Sequence, residues 1–330
     1  MTNDFFANKV VVNLRKRIDI LFIAFCIILV IIYSIYISNM QQPIHDGAVY
    51  LLNAKSWLEG TKLYEGFRPQ LLSWIISGIW ILTGENWLHV KYIQSAFTIA
   101  SGIILYLVIK HHKGPEFAFG VSGLTMLNGT VFANSIQILT EGLALFFLVL
   151  SLYSFKRNHW FLAGISIGLT FASRYTIVIQ ALAIFIMEGI LVRKPIPIVK
   201  TLLATALVMG IVISAIYLKT NQFQTSLPGD SSLTFNLSTY YFVNSVDIWG
   251  LAVVLVPIAL VSKRTYSDKF NYTFIFWFIV AIVFWSASPN NYQYRFTLQF
   301  TPAVYFLAIL GAENLFYCLK SLMITPKRNQ

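Results

Sequence analysis

Residues 45–86, HDGAVYLLNAKSWLEGTKLYEGFRPQLLSWIISGIWILTGEN, decide the topology of the whole chain. Within them, Ala48–Leu58 is predicted to form a short amphipathic helix that ends at Gly60. Pro69–Thr83 is apolar, but its roughly 15 residues fall short of the about 20 that a helix needs to cross a membrane. If this segment crosses, every later loop changes side. If it stays at the surface, the chain has ten spans in total and both termini lie on the same side.

The composition excludes an ordinary soluble domain. Of 330 residues, 57% are hydrophobic and 11% are charged, whereas soluble chains carry roughly 25% charged residues. Long apolar runs recur from Ile18 almost to the C-terminus, which predicts an all-α polytopic membrane protein. The chain is predicted to be a single transmembrane domain over residues 1–330, with a first outer loop at about 39–91 and a long outer loop at about 219–248. Cys26 and Cys318 lie in apolar segments and indicate neither a disulfide framework nor a metal site.

Ten apolar segments are predicted to span the membrane if Pro69–Thr83 does not. They are about Ile18–Ser38, Tyr92–Ile109, Phe117–Asn134, Glu141–Phe155, Trp160–Phe171, Thr176–Val192, Val199–Leu218, Trp249–Val261, Tyr272–Ala287 and Gln299–Leu319.

The basic residues favour this ten-span arrangement. With both termini cytoplasmic, 17 of the 24 Lys and Arg residues fall on the cytoplasmic side and seven fall on or near the outer face. This split follows the positive-inside rule, and the net charge of +11 indicates contact with anionic lipid rather than with nucleic acid. Seven acidic residues then lie on the outer face, which is where the unusual chemistry is expected.

Four outer positions hold charged or polar groups at helix ends, where such groups are costly in a membrane protein and often functional. They are His45-Asp46, Arg68, Thr140-Glu141, and the pair Ser173-Arg174-Tyr175 and Tyr292-Gln293-Tyr294-Arg295-Phe296. Each alone has a plain alternative. Asp46 is a suitable helix cap, Glu141 suits a helix N-terminus, and the arginines can extend to lipid headgroups. Together, carboxylates facing several arginines suit an anionic, lipid-linked substrate, because arginine binds phosphate bidentately.

The first outer loop also resembles a known family. Asp46, Tyr50, the helix-ending Gly60, Arg68-Pro69 and Gly84-Glu85-Asn86 follow one another as in the first outer loop of GT-C glycosyltransferases. Specifically, this stretch is similar to the branch of protein O-mannosyltransferases and lipid-A aminoarabinose transferases. Glu141, Arg174 and Tyr294-Arg295-Phe296 with Pro302 continue the series, and Gly47 departs from it where many relatives carry a second acid.

This resemblance implies transfer of a sugar, with inversion, from a polyprenyl-phosphate donor to a hydroxyl of a protein, lipid or glycan acceptor at the outer face of the cell membrane. The implied catalytic residues are Asp46 as general base and Glu141. The implied substrate-binding residues are His45, Tyr50, Arg68, Arg174, Tyr294 and Arg295, with the arginines on the donor phosphate and the tyrosines lining the pocket. No metal is expected to be required, although Asp46 and Glu141 could share a divalent cation.

Two other function classes also place polar groups next to lipid. A flippase or transporter for lipid-linked sugars predicts ionisable residues near the membrane midplane and an internal repeat, and the sequence shows no convincing repeat. A non-catalytic membrane subunit predicts that nothing depends on Asp46.

Overall fold

The protein is helical throughout the part that the structure, a computed structural model, describes. This part comprises residues 2–40, 43, 45–221, 239–287 and 294–324, with only the backbone of residues 2–14 and 324. The α-helices are α1 Thr2–Ser38, α2 Asp46–Glu59, α3 Leu71–Thr83, α4 Trp87–Lys113, α5 Pro115–Leu127, α6 Gly129–Ser135, α7 Thr140–Lys156, α8 Trp160–Ser173, α9 Val178–Val192, α10 Pro195–Thr220, α11 Tyr240–Val243, α12 Ser245–Trp249, α13 Val256–Val261, α14 Lys269–Ala287 and α15 Thr301–Ile324. Short 3₁₀ turns occupy Tyr175–Ile177, Gly250–Leu255, Lys263–Ser267 and Tyr294–Thr297.

Six helices in the described ranges are long and apolar enough to cross a membrane. They are Arg15–Ser38 of α1, α4, Tyr175–Val192, α10, α14 and Thr301–Met323 of α15. A seventh span is obtained if α6 and α7, which meet at 112°, are counted as one. The all-helical membrane fold is therefore confirmed. Each of the ten predicted spans lies on helical segments, but a count of ten crossings stays a prediction.

A central bundle of α4, α5, α7, α14 and α15 contains most of the core, which is dominated by aromatic side chains. Phe274 and Phe306 stack in parallel with their ring centroids 3.9 Å apart. Trp277 is fully buried, and its Nε1 donates to Gln180 Oε1 at 2.9 Å. On the periphery, α1 and α10 expose large apolar side chains such as Ile20. Apolar surface of this kind is stable against lipid rather than water.

Helices α2 and α3 run parallel to each other. Ser73 Oγ donates to the carbonyl of Tyr50 at 3.1 Å and Ser77 Oγ donates to that of Ala54 at 2.9 Å, so both contacts advance by four residues along each helix. The N-termini of the two helices therefore lie at the same end. The chain returns to that end through residues 60–70, after Gly60 terminates α2 in a left-handed conformation with φ of 72°.

Helices α8 and α10 form a second parallel pair. Thr201 Oγ1 donates to the carbonyl of Trp160 and Thr205 Oγ1 donates to that of Gly164, both at 3.0 Å. The C-terminus of α10 reaches the first loop, where Lys219 Nζ donates to the carbonyl of Ser56 at 3.3 Å. The C-termini of α8 and α10 and the N-termini of α2 and α3 thus lie at one end of the bundle.

Candidate active site

A cavity of about 340 Å³ opens at the end of the bundle where these helix termini meet. It is lined by Asp46, Tyr50, Phe67, Arg68, Pro69, Leu139, Thr140, Glu141, Arg174, Tyr175, Thr176, Trp285, Arg295 and Phe296. Five of these fourteen residues are charged, three arginines and two carboxylates, and they come from five separate parts of the fold.

Asp46 is the first residue of α2 and lies between two arginines. Its Oδ1 accepts from Arg68 Nη1 at 2.9 Å, and its Oδ2 accepts from Arg295 Nη1 at 2.6 Å. Burial raises the pKa of Asp46, but the hydrogen bond from Arg295 and the positive charges of Arg68 and Arg295 outweigh burial and hold the pKa below its ordinary value. Asp46 is therefore a carboxylate at neutral pH.

Glu141 is the second residue of α7 and is fully buried. Its Oε1 accepts from Arg174 Nη1 at 2.5 Å and lies 3.7 Å from Arg295 Nε, which is an ionic contact without a hydrogen bond. Its Oε2 has no hydrogen-bond partner among the described residues. A buried carboxylate oxygen without a donor is energetically costly, so this oxygen is a natural acceptor for a ligand hydroxyl.

The backbone presents both carboxylates at helix N-termini, where the unpaired N–H groups favour negative charge. The sharp bend between α6 and α7 places Glu141 there, and Gln94 Nε2 secures the bend by donating to the carbonyl of Leu139. Arg174 follows the last residue of α8 in extended conformation. Arg295 lies in the 3₁₀ turn Tyr294–Thr297, which leads into α15.

Aromatic rings form one wall of the cavity and orient the arginines. The guanidinium groups of Arg174 and Arg295 lie 4.7 and 5.3 Å from the ring centroid of Phe296, and Trp285 stacks on that ring at 4.8 Å. Stacking of this kind holds a planar guanidinium in place without using its N–H groups. Tyr50 also lines the cavity, and burial raises its pKa, so that it is a neutral phenol.

Six of the eight residues predicted for the site border the cavity: Asp46, Tyr50, Arg68, Glu141, Arg174 and Arg295. The other two do not. His45 is exposed and precedes α2, and Tyr294 is 42% exposed with its ring 6.1 Å from that of Tyr240. Tyr292 and residues 222–238 of the predicted outer loop lie outside the described residues.

Two contributors escaped sequence reasoning, Trp285 and Glu65. Trp285 has the position of an interfacial tryptophan, so only its tertiary contacts assign it to the cavity. Glu65 is one of the seven acidic residues predicted for the outer face, where the sequence alone indicates no individual role for it. Its spacing of three residues from Arg68 was the available signal, because residues three apart in a turn can contact each other.

The described residues offer no cluster of side chains that could bind a metal ion. No group of three or more His, Cys, Asp or Glu residues that could hold a metal ion occurs in the described ranges. Both carboxylates of the cavity carry guanidinium partners instead, and Arg295 contacts both of them.

No protein-family model matches the sequence, and no curated protein sequence matches it either. Solved structures do share its fold. ArnT from Cupriavidus metallidurans bound to undecaprenyl phosphate superposes with a TM-score of 0.72 at 11% identity over 94% of this chain. The apo state of the same ArnT gives a TM-score of 0.71 at 12% identity over 92% of the chain.

The archaeal oligosaccharyltransferase AglB from Archaeoglobus fulgidus, in complex with an inhibitory peptide and a dolichol-phosphate, superposes with a TM-score of 0.58 at 15% identity over 94% of this chain. The chain spans 66%, 61% and 52% of the lengths of these three structures, in the same order. The chain therefore shares the helical membrane fold of ArnT and AglB, in agreement with the fold that the resemblance of its first outer loop predicted.

Proposed function

We propose that this protein is a membrane glycosyltransferase that moves a sugar from a polyprenyl-phosphate carrier to an acceptor hydroxyl. The observation that carries the proposal is the cavity in which Arg68, Arg174 and Arg295 surround Asp46 and Glu141 at the end of a GT-C bundle. ArnT and AglB, which share the fold, have been solved with undecaprenyl phosphate and a dolichol-phosphate. A lipid phosphate is thus the ligand class that this fold and this charge distribution both favour.

The three arginines are proposed to bind the donor phosphate. Three arginines and two carboxylates line the cavity, so the lining carries one positive charge in excess, while Glu65 pairs with Arg68 from outside the lining. A singly charged phosphodiester matches the excess charge of the lining. Arginine suits the task because its planar fork of N–H groups matches phosphate geometry and remains charged. The same groups stabilise the charge that develops on the departing polyprenyl phosphate.

Asp46 is proposed to be the general base. Both of its oxygens accept hydrogen bonds from arginines, and a donor phosphate competes for the same two guanidinium groups. Phosphate binding would release the carboxylate and neutralise the charges that depress its pKa, so Asp46 becomes a stronger base when the donor is present.

The bond changes in the proposed reaction balance without a further reactant. The acceptor oxygen attacks the anomeric carbon from the face opposite the phosphate and gives its proton to Asp46. The bond from the anomeric carbon to the phosphate oxygen breaks, and its electron pair stays on the polyprenyl phosphate. Attack from the opposite face inverts the anomeric centre.

Glu141 is proposed to orient a hydroxyl of the sugar or acceptor through its unpartnered Oε2, with Tyr50 in the adjacent wall. His45 and Tyr294 are left out of the binding set because neither borders the cavity. We further propose that the cavity faces the outside of the cell membrane and that both termini are cytoplasmic, as the distribution of basic residues predicts.

The test uses purified protein in detergent with polyprenyl-phosphate mannose and polyprenyl-phosphate glucose, each radiolabelled in the sugar. Release of polyprenyl phosphate is compared between the wild type and Asp46→Asn. We expect Asp46→Asn to slow turnover by about 10²–10⁴-fold, the usual contribution of a general base.

Asp268→Asn is the matched control, because Asp268 pairs with Lys113 and does not border the cavity. Undiminished turnover in Asp46→Asn would contradict the assignment of the base. Donor binding by the wild type without turnover, in the presence of acceptor peptides, lipids and glycans, would favour a transporter instead.

A further inference from the structure

We propose that Glu65 is a positioning residue that orients Arg68 toward the donor phosphate, and that Asn53 and Gln70 fix the turn that carries both residues. This inference rests on the proposed function, because it assigns Arg68 to the phosphate.

Arg68 is held at two points of its guanidinium group. Its Nε donates to Glu65 Oε2 at 2.5 Å, and its Nη1 donates to Asp46 Oδ1 at 2.9 Å. Two bonds on different nitrogens fix both the position and the plane of a guanidinium, and they use only two of its five N–H groups. The plane of Arg68 is therefore set before any ligand arrives.

Glu65 contacts Arg68 from outside the lining of the cavity. It does not border the cavity, whereas Arg68 and Asp46 do. Glu65 thus acts on a substrate only through Arg68. If a donor phosphate takes the place of Asp46 on Arg68, Glu65 is the remaining contact that keeps the guanidinium oriented.

The turn that carries Glu65 and Arg68 is hydrogen-bonded to a buried side-chain amide. Asn53 in α2 is fully buried. Its Nδ2 donates to the carbonyl of Glu65 at 2.9 Å, and its Oδ1 accepts from the backbone N–H of Glu65 at 3.1 Å. These two hydrogen bonds resemble those between paired β-strands, and they fix the backbone of Glu65 in position.

A second buried amide fixes the other end of the turn. Gln70 is fully buried, and its Nε2 donates to the carbonyls of Arg68 at 2.8 Å and Glu65 at 3.3 Å. The indole of Trp57 donates to Gln70 Oε1 at 3.1 Å and thereby sets the orientation of the amide. Two fully buried amides, one in α2 and one at the end of the turn, therefore hydrogen-bond to the backbone of Glu65 and Arg68.

The charge balance agrees with this role. Burial disfavours the charged form of Arg68, but the hydrogen bond to Glu65 and the charge of Asp46 outweigh burial and keep the pKa of Arg68 above its ordinary value. Glu65 therefore both orients the guanidinium and offsets the cost of its partial burial.

A double-mutant cycle on lipid binding tests the proposal. The probe is polyprenyl phosphate without a sugar, so that binding is measured apart from turnover. We expect Glu65→Ala to weaken binding by about tenfold, because the ligand must then immobilise the Arg68 side chain itself. Glu65→Gln is expected to weaken binding less, because its Oε1 can still accept from Arg68 Nε. In an Arg68→Ala background, Glu65→Ala is expected to add no further loss.

Glu59→Ala is the matched control, since Glu59 is an exposed acid of the same region that pairs with Lys55. Thermal unfolding of each variant reports folding separately. An additional loss for Glu65→Ala in the Arg68→Ala background, or an equal loss for Glu59→Ala, would overturn the proposal. So would unchanged binding in Glu65→Ala. Failure of the wild type itself to bind polyprenyl phosphate would instead overturn the proposed function.

Discussion

The charged side chains of the site form an alternating series in which every contact joins opposite charges. The order is Glu65, Arg68, Asp46, Arg295, Glu141 and Arg174, with neighbouring charged atoms between 2.5 and 3.7 Å apart. Charged groups that are partly withdrawn from water lose hydration free energy, and only close, hydrogen-bonded partners offset that loss. The series is thus stable as a set, and removal of any inner member leaves two like charges facing each other.

The lowered pKa of Asp46 predicts how the stability of the protein depends on pH. Because the pKa is lower in the folded than in the unfolded state, the stabilisation by Asp46 is complete above the unfolded value of about 3.9 and is lost as the pH falls through the folded value. We expect the difference in thermal stability between the wild type and Asp46→Asn to be constant from pH 7 to pH 5. The difference should shrink at pH values below about 4.

Thermal unfolding of both proteins in detergent across this range measures the effect. Because the two proteins share every other titrating group, only their difference is interpreted. A difference that already vanishes near neutral pH would mean that the pKa of Asp46 is raised rather than lowered, which would contradict the ion pairs described above.

Glycines determine how closely the parallel helices α8 and α10 approach each other. A Cβ atom at Gly164 would lie 2.3 Å from the carbonyl oxygen of Thr201, and one at Gly168 would lie 2.6 Å from the Cβ of Val208. Small residues permit such approach between membrane helices, and hydroxyls such as that of Thr205 then bond across the interface. This contact aligns the C-terminus of α8, and with it Arg174, next to the first loop.

Substitution of Gly164 by alanine is expected to force the two helices apart. The clash is with backbone, which cannot rotate away, so we expect a loss of about 1–3 kcal/mol in stability, typical of overpacking. Thermal unfolding measures the change against Gly210→Ala in α10, where an added Cβ meets nothing within 4 Å. An unchanged stability in Gly164→Ala would show that the helices are packed less closely than described.

The helices were largely predictable from the sequence, whereas their breaks and pairings were not. The predicted helix Ala48–Leu58 is found as Asp46–Glu59, because its apolar periodicity and Gly60 are local signals. The predicted span Phe117–Asn134 is instead divided at Asn128, whose side chain caps the start of α6 by accepting from two backbone N–H groups. Asn128 interrupts the helix in this way only when the neighbouring helices hold its side chain in position.

For the site, local composition identified the charged residues but not their partners. Asp46 and Arg68 lie 22 positions apart and share one loop, so a contact between them was within reach of sequence reasoning. The contact between Glu141 and Arg174 depends on how α7 and α8 pack, which the apolar patterns of the two helices leave open. The role of Glu65 was missed for the same reason, since it depends on the orientation of Arg68.

The two ends of the helical bundle differ in chemistry. The end with the cavity carries Asp46 and Glu141, whereas the opposite end of α10 is preceded by Arg193 and Lys194. Helix α10 has 26 residues, or about 39 Å at 1.5 Å per residue, which exceeds the roughly 30 Å of the hydrocarbon layer. Its two ends are thus expected on opposite sides of the membrane.

Cysteine labelling tests this arrangement. In a Cys318→Ser background, which removes the exposed native thiol, we expect Lys62→Cys to react with a membrane-impermeant maleimide in intact cells. Lys194→Cys should react only after permeabilisation. Both positions are exposed, so failure to react reports the side of the membrane rather than burial. The reverse pattern would place the cavity on the cytoplasmic face.

The pairing of Asp46 with Arg295 joins residues 249 positions apart, and this separation has a consequence for biosynthesis. Ribosomes add about 5–20 residues per second, so roughly ten to fifty seconds pass between the synthesis of Asp46 and that of Arg295. During that interval α2 and α3 can already be in place with only part of the charge series complete. The unfinished chain therefore cannot present the assembled cavity to a lipid, and any activity that depends on that cavity begins only when the last long helix has been delivered to the bilayer.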